Sequence, residues 1–217
     1  MAYLRITAAE LRKALSGPGQ PLDAGPIDVS RARPAGVAVP VTLEPEPVVH
    51  LVLRGSHLAD HAGEIAFPGG KQDAGDASLR ATAAREMFEE VGIAESDIEW
   101  LGELSPIPVI TGRFVIHPFV GLLAAGVAPR VASGEIAEVL ALPILPYVSG
   151  EARIRAVAVE WRGVDVLAPY FPMGGRVLYG ATAYSTYELL ARIAAAMDRS
   201  LAPPVLETEA PWAKRYM

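Results

Sequence analysis

Glu86 and Glu90 are the residues whose type and spacing point most directly to chemistry. They stand four apart in Arg85-Glu86-Met87-Phe88-Glu89-Glu90-Val91-Gly92-Ile93, a run that reads as helix, so both carboxylates project from one face and can converge on one site. Such a pair suits a hard cation: magnesium prefers carboxylate oxygens, keeps several waters and bridges to substrate phosphates. Glu89 lies beside them but rotated, with Arg85 four residues before it. Taken alone, these letters also describe a solvated helix face on which Arg85 pairs with Glu89. The upstream sequence favours the site. Phe67-Pro68-Gly69-Gly70-Lys71-Gln72-Asp73-Ala74-Gly75-Asp76 is a glycine-rich bend feeding the acidic helix, where backbone amides can approach an anion closely.

The elements that must hold these groups follow from pattern. From Ser78 to Val91 there is no Pro or Gly, and Leu79, Ala83, Met87 and Val91 recur on one helical face, with Asp76 expected to cap the start and Gly92 the end. The stretches 36–41 and 48–53 are short β-branched runs separated by Glu44-Pro45-Glu46-Pro47, which predicts two neighbouring strands with a turn between. A short strand at Ile65-Ala66-Phe67 leads into the bend. Further strands fit 98–104, 115–123, 139–142, 154–161 and 164–167, the last two joined through Arg162-Gly163, and a final helix fits 183–197. Thr7-Ala8-Ala9-Glu10 has the form of a capping box opening a short helix. Ser16 to Pro34 is rich in Gly, Pro and Asp and reads as a loop. The expected organisation is an N-terminal helix and loop over 1–34, a domain of α/β or α+β class over 35–200, and a tail over 201–217.

Composition excludes several classes. The chain has 217 residues, 51% hydrophobic and 20% charged, enough for a full core in one domain. A net charge of -6 argues against a nucleic-acid polymer as partner, since such binding needs a basic footprint. A small phosphate ligand is still allowed, because metal ions can stand between an acidic site and an anion. The absence of cysteine removes disulfides, thiolate zinc sites and cysteine nucleophiles, and is compatible with a reducing cytoplasm, the expected location. Neither a secretory signal nor an apolar run of membrane-spanning length is visible, so no membrane association is expected. His57 and His61 stand four apart without an evident third zinc ligand. Gly70-Lys71 lacks the Ser or Thr of a phosphate-binding Walker loop, and no Gly-x-Ser-x-Gly elbow occurs.

Gly70 through Ile93 resembles the Nudix box, Gly-x5-Glu-x7-Arg-Glu-U-x-Glu-Glu-x-Gly-U with U aliphatic. Asp76 replaces the first glutamate, and the gap from it to Arg85 is one residue longer than the general pattern. That variation resembles the coenzyme A diphosphatase branch. So does Leu53-Arg54-Gly55-Ser56-His57-Leu58-Ala59-Asp60-His61-Ala62-Gly63-Glu64 with the Ile65 to Gly70 run after it, which is similar to Leu-Leu-Thr-x-Arg-Ser-x3-Arg-x-His-x-Gly-x3-Phe-Pro-Gly-Gly. Arg54, His61, Gly63 and Phe67-Pro68-Gly69-Gly70 fall in place. Gly55 stands where that pattern has serine and Ala59 where it has its second arginine, which bears on substrate identity. The stretches 104–121 and Tyr179-Gly180-Ala181-Thr182-Ala183 are also similar to that branch.

The resemblance implies an α/β/α sandwich around a mixed central sheet and hydrolysis of the diphosphate bond of a nucleotide-derived small molecule. The cofactor would be Mg2+ or Mn2+. Glu86 and Glu90 would be metal ligands, Glu89 a third ligand or water orienter, and Arg85 a clamp on the acidic cluster through Glu89 or a nearby loop carboxylate. Arg54, His61, Gly69, Gly70 and Lys71 would contact substrate. The general base varies within the superfamily; Glu135 and Glu138, after Ala132-Ser133-Gly134, are candidates, and both also fit a solvated loop. Three functions follow: cleavage of coenzyme A or acyl-coenzyme A, cleavage of ADP-ribose, a dinucleotide or a nucleoside triphosphate, and nucleotide sensing without cleavage, which the intact acidic trio disfavours. A homodimer using the N-terminal helix is compatible with the sequence.

Overall fold

The acidic helix forms where its spacing predicts. In the computed structural model, which describes residues 4–17, 30–109, 111–161 and 164–213, helix α2 spans Leu79–Val91. Its first turn is capped by Ser78, whose side chain accepts from the Ala81 N–H, and Gly92 ends it in the left-handed conformation at φ 71°. Asp76, expected at the cap, lies two residues too early and binds elsewhere. Helix α1, Ala8–Leu15, carries the full capping box between Thr7 and Glu10. The loop expected over 16–34 falls largely outside the described residues, as does the Arg162-Gly163 turn.

The main sheet contains β1 (Arg33–Thr42), β2 (Val48–Arg54), β3 (Ile65–Ala66), β4 (Gly69–Lys71), β5 (Ile98–Glu103), β6 (Ile107–Pro108), β7 (Phe114–Leu123) and β8 (Ile136–Pro143). β1 lies between β7, its parallel neighbour, and an opposite edge shared by β4 and then β2, both antiparallel. The sheet is therefore mixed. Its edge pairing to β4 ends at Val37 and that to β2 begins at Val41. Ala38 turns its N–H to that edge, onto the Pro68 carbonyl at 2.8 Å. Pro40, with the same parity, falls in the gap, where a missing N–H costs no ladder bond.

Both faces of the sheet are covered, so β1 is buried along most of its length. Ala38 and Val52 pack with Ala83, Met87 and Val91 of α2. On the other face Val37, Val39 and Val41 pack with Ile6, Leu11 and Leu15 at α1 and with Leu189, Leu190 and Ile193 of α4, which spans Gly180–Ala196. The result is an α/β/α sandwich in which α1, although separated in sequence, belongs to the central core.

A second sheet follows the short helix α3 (Leu145–Ser149). It contains β9 (Arg155–Trp161), β10 (Val164–Met173), β11 (Arg176–Leu178) and β12 (Val205–Glu207), in the order β11-β10-β9-β12. β10 runs past the expected 164–167 through Tyr170-Phe171-Pro172-Met173, and Phe171 is fully buried in the main core. β12, in the segment expected to be a tail, pairs in parallel with β9. Among the described residues no helix is long and apolar enough to cross a membrane.

Candidate active site

Two glycines set the height of α2 above the sheet. Gly36 and Gly70 are register partners on β1 and β4, and both face the helix. A Cβ on Gly36 would lie 2.1 Å from the Leu79 carbonyl oxygen, and one on Gly70 only 2.3 Å from Glu86 Oε1. The absence of side chains here lets the helix settle until the Glu86 carboxylate meets the backbone of the bend. One turn on, Glu90 Oε2 accepts the Gly69 N–H at 3.3 Å.

These carboxylates are held in a costly environment. Glu90 is only 5% exposed. Burial, and next the negative charge of Glu86, push its carboxyl up to about 7, against the opposing pull of Arg54 and the Gly69 N–H. Burial also raises Glu86, while Arg85 lowers it. Arg54 Nη1 stands 3.6 Å from Glu90, and its Nε is buried without a hydrogen-bond partner. Two desolvated anions one turn apart are thus only partly balanced. A divalent cation with hard oxygen preference fits this donor set, with water and substrate oxygens completing its sphere. Among the described residues no three acidic or histidine side chains are already gathered as a ligand cluster.

Arg85 clamps the bend to the helix. Its guanidinium donates to Asp76 at 3.1 Å through both Nε and Nη2, to Glu89 at 3.1 Å, and to the Lys71 carbonyl at 3.4 Å, and it stands 3.0 Å from Glu86. Arg85 thus contacts both of the alternatives, Glu89 and a loop carboxylate. Asp76 also accepts from the Asp73 N–H and the buried Thr82 hydroxyl. Arg85 first, and then the Asp73 N–H, hold the Asp76 carboxyl down to about 2. At the position where the general Nudix pattern has glutamate, the shorter aspartate organises the loop.

The remaining candidates divide. Arg54 lies between Glu90 and Glu135, whose Oε2 accepts from Nη2 at 3.4 Å, so these three groups share one locale. Glu135 is 60% exposed. Glu138 instead pairs with Arg176 at 2.9 Å, on the second sheet. Glu89 is 54% exposed and pairs with Arg85 Nη1 at 3.1 Å, the same nitrogen that stands 3.0 Å from Glu86. Lys71 is exposed, and by strand alternation its side chain leaves the sheet on the face opposite Gly70. It lines an open hollow of about 460 Å³ with Arg33, Gln72 and Asp73. His61 adopts φ 58° and bonds Glu64 through Nδ1 at 2.9 Å. Glu64, which the sequence reading passed over, also accepts the Tyr179 hydroxyl at 3.2 Å. A separation of 115 residues left no local signal for that contact.

Comparison with known proteins identifies the family. The family model of the NUDIX domain matches residues 32–156, which contain β1, the bend, α2 and Glu135. Proteins from Salmonella paratyphi B and Salmonella newport, each described as an uncharacterized Nudix hydrolase, NudL, are 41% identical over 112 residues, 52% of this chain and 58% of theirs. The chain thus spans little more than half the length of these curated relatives. Among solved structures, the NUDIX domain of Shewanella oneidensis NrtR with ADP ribose superposes with TM-score 0.43 and 23% identity, covering 54% of this chain and 77% of that one. A MutT/nudix family protein from Enterococcus faecalis superposes with TM-score 0.48 and 18% identity, covering 74% and 61%. With the family model matched over more than half its length, the chain belongs to the Nudix family.

Proposed function

We propose that this protein hydrolyses the diphosphate bond of coenzyme A or acyl-coenzyme A, giving 3',5'-ADP and 4'-phosphopantetheine or its acyl derivative. The observation that carries the hydrolase reading is the pair of buried Glu90 and half-buried Glu86, like charges one turn apart beside the Gly69-Gly70 backbone. The coenzyme A reading rests on the resemblance of 53–70 and of the lengthened box to that branch. Glu86 and Glu90 would hold Mg2+ or Mn2+, with Glu89 as third ligand or water orienter. When bound, the ion supplies positive charge against the diphosphate oxygens and makes water a better nucleophile.

The chain's own groups do the rest. Arg54 places a second cation at the same locale. Gly69 and Gly70 let the diphosphate approach the backbone. His61 meets the substrate from the turn that follows Arg54. Water attacks one phosphorus in line, the bond to the bridging oxygen breaks, and the departing phosphate takes the electron pair. Glu135 is better placed than Glu138 to take the proton of the attacking water, because it shares Arg54 with Glu90.

A second reading has a specific basis: Ala59 stands where the coenzyme A pattern has arginine, which favours ADP-ribose or a dinucleotide as substrate. Assays of coenzyme A, ADP-ribose, NADH and diadenosine polyphosphates with Mg2+ and with Mn2+ separate the two. Coenzyme A should be cleaved most efficiently. Faster cleavage of ADP-ribose would replace the substrate assignment, and binding without products would replace the hydrolase reading with a nucleotide sensor.

A further inference from the structure

The segment after α4 reaches the same rim. Trp212 stacks on Tyr179, with ring centroids 5.3 Å apart and planes inclined by 7°, and meets Tyr170 edge-on at 5.6 Å. The Tyr179 hydroxyl donates to one oxygen of Glu64, whose other oxygen bonds His61 Nδ1. Backbone bonds continue the chain of contacts: the Gly63 N–H donates to the Arg54 carbonyl at 3.1 Å, and the Arg54 N–H to that of Glu64 at 3.0 Å. The Arg54 side chain ends on Glu90 and Glu135. β12, paired with β9, delivers the segment to this place.

We infer that Trp212 and Tyr179 are positioning residues that hold the His61–Glu64 turn in its substrate-binding form. His61 has a positive φ of 58°, uncommon for a residue with a Cβ and favoured here by the contacts of the turn. Glu64 makes the side-chain contact on the turn, and the Tyr179 hydroxyl fixes Glu64 in turn. Trp212 covers the ring of Tyr179 and limits its motion. Tyr179 and Trp212 both lie outside the stretch matched by the family model, residues 32–156. The affinity of this site is thereby set in part from beyond the matched stretch.

The functional half of this inference rests on the proposed diphosphatase reading; the structural half does not. Four proteins decide it: wild type, Trp212→Ala, Trp212→Phe and Tyr179→Phe. Amide hydrogen exchange should accelerate across 57–66 in Trp212→Ala and Tyr179→Phe, stay at wild-type rates in α2, and return towards wild type in Trp212→Phe. With coenzyme A and saturating Mg2+, the first two variants should raise KM about tenfold with kcat within about twofold, the signature of lost binding common to ground and transition states. Unchanged exchange at 57–66 in both would overturn the positioning role. Accelerated exchange with wild-type KM would overturn its bearing on substrate. If the wild type cleaves no diphosphate, the hydrolase reading fails while the exchange measurement still decides the contact chain.

Discussion

Burial and the charge of Glu86 keep the Glu90 carboxyl at about 7, and an acid raised in the folded state makes folding less favourable as pH rises. Below the unfolded value of 4.5 it is neutral in both states and costs nothing. Through 4.5 to about 7 the unfolded chain loses its proton first, and the penalty grows to the order of a few kcal/mol. Glu90→Gln keeps the shape and an acceptor for the Gly69 N–H but removes that charge. In metal-free protein it should raise Tm by several degrees at about pH 8, with the gain shrinking towards zero near pH 4.5, while turnover with Mg2+ is abolished. Equal Tm shifts at both pH values would refute the linkage, and near-normal turnover would refute the ligand assignment. Asp76 works in the opposite direction. Its carboxyl is depressed from 3.8 to about 2 by Arg85, so its contribution is complete above about pH 4 and disappears as pH falls through 2. Asp76→Asn should lower thermal stability at neutral pH, and the gap to wild type should close on acid titration; a gap constant down to pH 2 would deny the Arg85 contact that role.

At the scale of elements, the site depends on how closely α2 approaches β1 and β4. The paired glycines Gly36 and Gly70 leave no room for a methyl group: one would strike the Leu79 backbone and the other the Glu86 carboxylate. Gly70→Ala can be absorbed by moving the Glu86 side chain, whereas Gly36→Ala must lift the helix itself. The first should therefore lower activity at limiting Mg2+ with modest loss of stability. The second should cost about 1–3 kcal/mol through overpacking as well as activity. Parallel denaturation and Mg2+ titrations separate them, and indistinguishable profiles would contradict this geometry. The helix was legible in the sequence because its information is local: spacing of Ala83, Met87 and Val91, a glycine stop, and two acids one turn apart. The Arg85–Asp76 clamp was legible only as a loop carboxylate near the arginine. Ser78 sits closer to the first apolar turn and takes the cap, leaving Asp76 to the clamp.

For the whole molecule, what sequence pattern did not reveal are contacts between elements far apart in the chain. The four-stranded sheet joins 155–178 to 205–207, and the Glu64–Tyr179 bond joins residues 115 apart in the chain; neither leaves a periodic mark. The same applies to α1, which its capping box identified as a helix while nothing in its letters said what it covers. Leu11 is fully buried in the main core between the sheet and α4. On the same helix Arg12 makes a bidentate contact to Glu99 of β5, at 2.7 and 2.8 Å, with both side chains about half exposed. These two residues should differ sharply. Leu11→Ala opens a cavity in a close-packed layer and should cost about 2–5 kcal/mol, whereas Arg12→Ala, which breaks only a solvent-screened pair, should leave stability nearly unchanged. Urea denaturation of both variants measures the difference, with kcat retained in each because α1 lies across the sheet from α2. A small effect of Leu11→Ala would mean that α1 is an appendage to the domain and not a layer of its core.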